Sequence, residues 1–167
     1  MVWASDITYI KTMEGWLYLA VVMDLYSRKI VGWSLARNMA VDMVKNALIM
    51  AIGRRKPDPG IIHHSDRGLQ YACTEYRRLL QNYGMLSSMS RSGNCLDNAV
   101  AERFFRTLKT ESSLSWRNMS VEEVKRDIVD YVEMFYNSER LHSHDRYLSP
   151  NDYEKMRDTL VRVSVFP

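Results

Sequence analysis

Along the first 37 residues, apolar and polar positions follow no helical repeat. Three runs rich in β-branched and aromatic residues, VWASDITYI (2–10), WLYLAVVMD (16–24) and KIVGWSLA (29–36), are separated by the short breaks KTMEG and LYSR. Such runs read as strands, and tight connections between them predict an antiparallel meander. The middle run is apolar almost throughout, which places it inside the sheet with both faces covered. From residue 40 the period changes. Ala40, Met43, Val44, Ala47, Leu48 and Ala51 recur at helical spacing up to residue 54, and Pro57, Pro59 and Gly60 close that helix.

A short strand (Ile61 to His64), a helix (Thr74 to Tyr83) and a second short strand (Met85 to Met89) follow, then the irregular stretch SRSGNCLDN. A helical pattern returns from Asp97 to Glu111. Ser120 and Glu123 form a capping box that opens another helix, with the apolar stripe Val121, Val124, Ile128, Tyr131, Val132 and Phe135. A last helix is expected at Pro150 with Ser149 as its cap. The order βββαβαβα, followed by helices, predicts an α/β fold. It has a five-stranded mixed sheet with helices on both faces and resembles a ribonuclease H-like layout. The chain is expected to be a single domain over 1–167, with a core over about 1–115 and a C-terminal helical extension over about 116–167.

Composition narrows the class without naming it. Apolar residues make up 46% and charged residues 26%, which excludes disorder, and no apolar run is long enough to span a bilayer. The N-terminus lacks a signal-peptide layout, and Cys73 and Cys95 stand in no metal-ligand spacing, so a reducing cytoplasm is expected. The balance of 23 basic against 20 acidic residues permits nucleic-acid binding and does not demand it. The four histidines, His63, His64, His142 and His144, fit no ordinary zinc spacing with the two cysteines.

Three carboxylates stand out by position. Asp6 lies mid-strand, where aspartate is disfavoured unless it has a structural hydrogen bond or a task. Asp66 directly follows the fourth strand, either as an Asx turn or as a group at the sheet's ligand-binding end. Glu102 sits on a helix whose apolar face is Ala101, Phe104, Phe105 and Leu108, and Asn98, Glu102 and Lys109 share a strip on its shoulder. Carboxylates converging from separate elements suit hard divalent cations. A pair of such ions roughly 3.5–4 Å apart activates the attacking oxygen and stabilises the leaving one in phosphodiester chemistry. Arg91, Arg103 and Arg106 are candidates for phosphate contacts, with Arg103 ranked lowest because it points away from Glu102. Gly68 and Gly93 are expected to adopt unusual backbone angles, and Asp24 to belong to the DLYSR turn.

The motifs W-x-x-D-I-T-Y (Trp3 to Tyr9), H-S-D-R-G-x-Q-Y (His64 to Tyr71) and D-N-A-x-x-E-R-F-F-x-x-L-K-x-E (Asp97 to Glu111) resemble the catalytic core of insertion sequence three family transposases, relatives of retroviral integrases. Asp66 and Glu102 are separated by 35 residues, the spacing for which the family's D,D,35,E triad is named. The segment Y-N-x-x-R-x-H-S (Tyr136 to Ser143) is similar to the family's C-terminal motif. The resemblance implies Asp6, Asp66 and Glu102 as catalytic and metal-binding residues holding two Mg2+ or Mn2+ ions. It further implies Lys109, Asn98, Arg91 and Arg106 as DNA contacts, and His64 and Thr8 as supports of the carboxylates. The implied reaction is DNA cleavage by water, then strand transfer by the freed 3′-hydroxyl, with no covalent protein–DNA intermediate. The implied partners are transposon ends and target DNA, with a homodimer or higher synaptic assembly, in the nucleoid-associated bacterial cytoplasm and with no membrane.

Two departures accompany the resemblance. Trp3 follows Met1 almost at once where family members carry helix-turn-helix segments upstream, so terminal-repeat recognition is not expected within this chain, and the activity of such a truncated chain alone is open. His142-Ser143-His144-Asp145-Arg146-Tyr147 stands where the family reads H-S-A-L-G-Y, which alters packing there. The competing readings are a catalytically silent transposase remnant that only binds DNA or dimerises, and a ribonuclease acting on RNA–DNA hybrids.

Overall fold

Period-two burial along the first strands builds the sheet. The computed structural model describes residues 1–90 and 99–164. Strands β1 (Val2–Thr12), β2 (Gly15–Asp24) and β3 (Ile30–Ala36) form the expected meander, and β4 (Ile62–Ser65) and β5 (Leu86–Met89) add to its far side, giving the order β3-β2-β1-β4-β5. The meander pairs are antiparallel, whereas β1–β4 and β4–β5 are parallel. The α/β architecture, a five-stranded mixed sheet with helices on both faces, is the one anticipated.

β2 divides the core. Its odd positions Leu17, Leu19, Val21 and Met23 join one buried cluster, with Phe104, Phe105 and Leu108 of α4 (Ala99–Trp116) and Val121, Val124 and Ile128 of α5 (Val121–Val129). Its even positions Ala20 and Val22 face the opposite cluster, with Trp3, the α1 (Val41–Arg55) residues Val44, Ala47 and Leu48, and Tyr76 and Leu80 of α3 (Thr74–Asn82). A one-turn helix, α2 (Leu69–Ala72), precedes α3 and was not anticipated. α1 crosses β3 so closely that a Cβ on Gly32 would lie 2.1 Å from the Ala47 carbonyl oxygen, so the approach requires glycine there.

The capping box at Ser120 and Glu123 forms on both sides, and Ser149 Oγ accepts the Asp152 N–H (3.2 Å) at the start of α6 (Pro150–Ser164). One expectation fails. Phe135 is 40% exposed, and Tyr136, at 3%, takes its inward place. The cause is a π-helical stretch, Asp130–Tyr136, that continues α5. Its Asn137 N–H reaches back five residues to the Val132 carbonyl, widening the turn and advancing the buried face by one position. Asn137 then locks this segment to β3, its side chain accepting the Ile30 N–H (2.9 Å) and donating to the Ile30 carbonyl (3.0 Å). At the other end of the chain, Glu154 of α6 binds Ser27, Lys29 and Arg55, tying that helix to the β2–β3 turn and to α1. No helix among the described residues is long and apolar enough to cross a membrane.

Candidate active site

The register of β1 decides where Asp6 points. Asp6, Thr8 and Ile10 lie opposite Val21, Leu19 and Leu17, so all three face the side covered by α4. Burial pushes the Asp6 carboxyl up to about 7, the Ile7 N–H (2.8 Å from Oδ1) opposes the rise, and the negative charges of Asp66 and then Glu102 add to it. Three carboxylates from a strand, a strand end and a helix thus act on one another.

Asp66 is brought there by strand pairing. β4 runs parallel beside β1 with Ser65 opposite Ser5, so the chain leaves β4 at the level of Asp6. Asp66 Oδ1 accepts the Gly68 N–H at 2.8 Å, so the Asx turn also forms. The expectation of unusual angles at Gly68 is corrected: its φ of −53° and ψ of 144° are open to any residue. A Cβ there would stand 2.9 Å from Asp66 Oδ1, so a larger residue would have to displace that carboxylate. Gly93 lies outside the described residues. Arg67 shapes the same turn by donating from Nε to the Ser90 carbonyl (2.8 Å).

Glu102 is exposed in the first turn of α4, and Arg106 and Lys109 follow it along the same side at i+4 and i+7. The Lys109 ammonium sits 4.5 Å from the centroid of the Tyr9 ring, and partial burial lowers its pKa. Tyr9, three residues beyond Asp6, was missed as a site residue although it ends the first motif. Arg91 and Asn98 lie outside the described residues, as does most of the SRSGNCLDN loop.

The two adjacent histidines divide as strand neighbours must. His64 points to the site's side of the sheet, and its ring bonds Ser88 Oγ (3.0 Å) and Ser90 Oγ (3.1 Å). It therefore holds the ends of β4 and β5 together rather than touching a carboxylate. His63 takes the opposite face of the sheet. It is the second residue of β4, 1% exposed, with Nε2 between Ser5 Oγ (2.8 Å) and Tyr76 Oη (3.0 Å). Burial depresses its pKa to about 4, so it is a neutral core group. Thr8 is buried beside Asp6's face of the strand. Asp24, at the end of β2, accepts the Tyr26 N–H (3.0 Å) and serves the turn as expected. Ser90, which no pattern singled out, bonds His64, Arg67 and the Ser65 carbonyl and so fixes the strand end that delivers Asp66.

Whether the donor set fits a metal follows from its chemistry. Oxygen donors of like charge, one of them held near neutrality by burial and by the other two, suit a hard divalent cation that relieves their repulsion. Among the described residues, no three His, Cys, Asp or Glu side chains are drawn close enough to hold an ion. Mutual repulsion and the turn that engages Asp66 Oδ1 both favour that spacing.

Known proteins resemble this chain in sequence and in fold. Two family models described as integrase core domains match residues 1–95 and 102–157. The transposase for insertion sequence element IS904 of Lactococcus lactis is 46% identical over 92% of this chain and 61% of its own length. Transposase InsF for insertion sequence IS3A of Escherichia coli is 44% identical over 91% of this chain and 53% of its own. The chain therefore spans roughly half to three-fifths of the relatives it matches. In fold it is similar to the HTLV-2 integrase catalytic core domain in complex with magnesium (TM-score 0.68, 15% identity, 91% of this chain and 94% of that one). The BIV integrase catalytic core domain is equally similar (TM-score 0.68, 17% identity, 96% and 97%). Sequence motifs, sheet order and family models converge, and the chain belongs to the integrase core domain family.

Proposed function

We propose that this chain is the catalytic core of a transposase that cuts and transfers DNA strands by phosphodiester transesterification, with Asp6, Asp66 and Glu102 as its catalytic, metal-binding carboxylates. One observation carries the proposal: beside the end of β4, the charges of Asp66 and Glu102, brought there by separate segments, act on mid-strand Asp6 and together with burial hold it at about 7. Supporting it are relatives named as transposases and a neighbour of the same fold that binds magnesium.

In this reading Asp6, Asp66 and Glu102 hold two Mg2+ or Mn2+ ions. Bound there, such ions supply the positive charge that favours deprotonation of an attacking oxygen and stabilises the leaving one. The protein's own groups position the DNA. Arg106 and Lys109 continue the Glu102 strip as phosphate contacts, and the Ser90, Arg67 and His64 bonds keep the Asp66 turn in place. Water attacks a phosphodiester at the element's end, and the freed 3′-hydroxyl attacks a second strand. The buried Tyr71 and Tyr76 phenols have pKa values raised by burial and are poorly suited to act as nucleophiles. Transposon ends and target DNA are the substrates, a self-associated assembly is the working form, and the bacterial nucleoid is the place of action.

The test is strand transfer of a pre-cut DNA end with manganese by the wild-type chain, Asp66→Asn and Glu102→Gln. Loss of product in both variants is expected, and equal product in all three overturns the assignment. Calorimetry separates the silent-remnant reading: divalent-ion binding that disappears in Asp6→Asn supports a working core, and no binding by wild type favours the remnant.

A further inference from the structure

The C-terminal motif Tyr136 to Ser143 has no part in the carboxylate site, yet its residues converge on a cavity of about 510 Å³. Arg28, Arg103, Arg140, His142 and His144 line it, with Tyr136 and Thr107 between them, and no acidic side chain lines it among the described residues. It lies along the Ala99, Arg103 and Thr107 strip of α4. That strip is roughly 100° around the helix from the strip carrying Glu102, Arg106 and Lys109.

The charges here are only partly compensated from within. Arg140 is bound by Glu111 at 3.1 Å. Arg28 and Arg103 make no hydrogen bond or ion pair among the described residues, although Arg28 is only partly exposed. Burial lowers the Arg28 pKa, buried Asp145 and the Tyr136 phenol oppose the shift, and Arg103 reinforces it. Buried Asp145 acts on Arg28 without bonding it, so among the described residues the guanidinium's donors stay unused and open to a ligand. His142 adds a second orphan: its Nε2 is buried without a hydrogen-bond partner while its ring packs edge-on against Tyr136 (4.8 Å between centroids). Burial, then Arg140, lowers its pKa. The wall itself is strained, because Arg28 and Tyr147 both hold left-handed backbone angles (φ of 59° and 58°).

Planar guanidinium forks with neutral N–H and O–H donors recognise a tetrahedral oxyanion. A cavity of this size takes a phosphate with its attached sugar more readily than a lone ion. Resting on the reading of the chain as a DNA-processing core, we propose that this cavity is a second backbone-phosphate site. Through Arg28 and Arg103 it holds DNA on the face of α4 adjoining the carboxylates. Arg103, which ranks lowest when judged only by its angle to Glu102, becomes the residue that carries this contact.

The experiment measures anisotropy of a labelled duplex of arbitrary sequence bound to the full chain across a sodium chloride series. Asp66→Asn serves as the parent so that no cleavage intervenes. Arg103→Gln, an exposed position with little risk to folding, and the Arg28→Gln/Arg103→Gln pair are compared with Arg77→Gln/Arg78→Gln, which removes equal charge from exposed positions on α3. The cavity pair is expected to weaken binding about tenfold or more and to lower the slope of log K against log salt by about two, with Arg103→Gln lowering it by about one. A cavity pair that behaves like the α3 pair overturns the site while leaving the proposed function intact. A parent that binds no duplex at low salt contradicts DNA processing itself. Inorganic pyrophosphate that binds only when both cavity arginines are present, yet never competes with duplex, identifies a free-anion site and overturns the DNA assignment. A change of sedimentation state in the cavity pair identifies a contact between copies and overturns it as well.

Discussion

Replacing Asp6 by asparagine should stabilise the metal-free chain, by an amount that grows as pH rises from about 4 and is complete above about 7. The perturbation is nearly isosteric, and the amide side chain keeps an oxygen for the Ile7 N–H that Asp6 Oδ1 accepts at 2.8 Å. A carboxyl held at about 7 instead of 3.8 corresponds, at 1.36 kcal/mol per pH unit, to at most about 4 kcal/mol for ionising Asp6 in the folded chain. Asp66 and Glu102 are exposed, so solvent screens their share and about 2–4 kcal/mol is the expected range. The direction follows from proton binding. Between about pH 4 and 7 the folded chain binds the extra proton at Asp6, so the wild type loses stability relative to the variant as pH rises through that window.

His63 works the other way. It is held at about 4 against an ordinary 6.5, so stability is lost as pH falls through that range, but both proteins share it and the difference cancels. The assay is urea unfolding of both chains in chelator at about pH 5 and about pH 8.5. At the lower pH the gap is expected to be about a third to a half of its alkaline value, because Asp6 is already ionised there in the unfolded chain but not in the folded one. At the higher pH the variant should gain about 1–2 M urea, taking a slope of about 2 kcal/mol per molar. Millimolar magnesium should narrow the alkaline gap, because an ion that binds ionised Asp6 stabilises only the wild type. A gap of the same size at both pH values would refute the electrostatic account of the site.

Two further expectations concern single contacts. Gly68→Ala should leave stability within about 1 kcal/mol, because its backbone angles suit alanine. It should nevertheless slow strand transfer about tenfold or more, since the new Cβ meets Asp66 Oδ1; an unchanged rate counts against that carboxylate's role. Asn137→Ala removes both bonds to the Ile30 backbone and should cost about 2–4 kcal/mol, measured by urea or thermal unfolding, and a loss below about 1 kcal/mol contradicts its part in anchoring the π-helical segment.

Much of the fold was legible because local patterning and tertiary structure agree. β2 reads as apolar throughout and is covered on both faces, and the Ser120 and Ser149 caps sit where helices begin. Phe135 was misread because a π-helical turn alters the period, and nothing in the residue types of 130–136 announces that alteration. The two adjacent histidines look alike in sequence, yet the strand's alternation sends His63 into the core and His64 to the site's side.

By itself the sequence determined the element order and the apolar faces, and it nominated the three carboxylates, since these depend on residue types and their spacing. Only the tertiary structure decided what those residues feel. Burial and neighbouring charge at Asp6, the close crossing that requires glycine at 32, and the meeting of Arg28 with Arg103 across 75 positions of chain all arise between segments separated in sequence. Electrostatic interaction and steric exclusion depend on distance in space, and distance in space is set by the register of β1 against β4 and by the packing of α4 across the sheet.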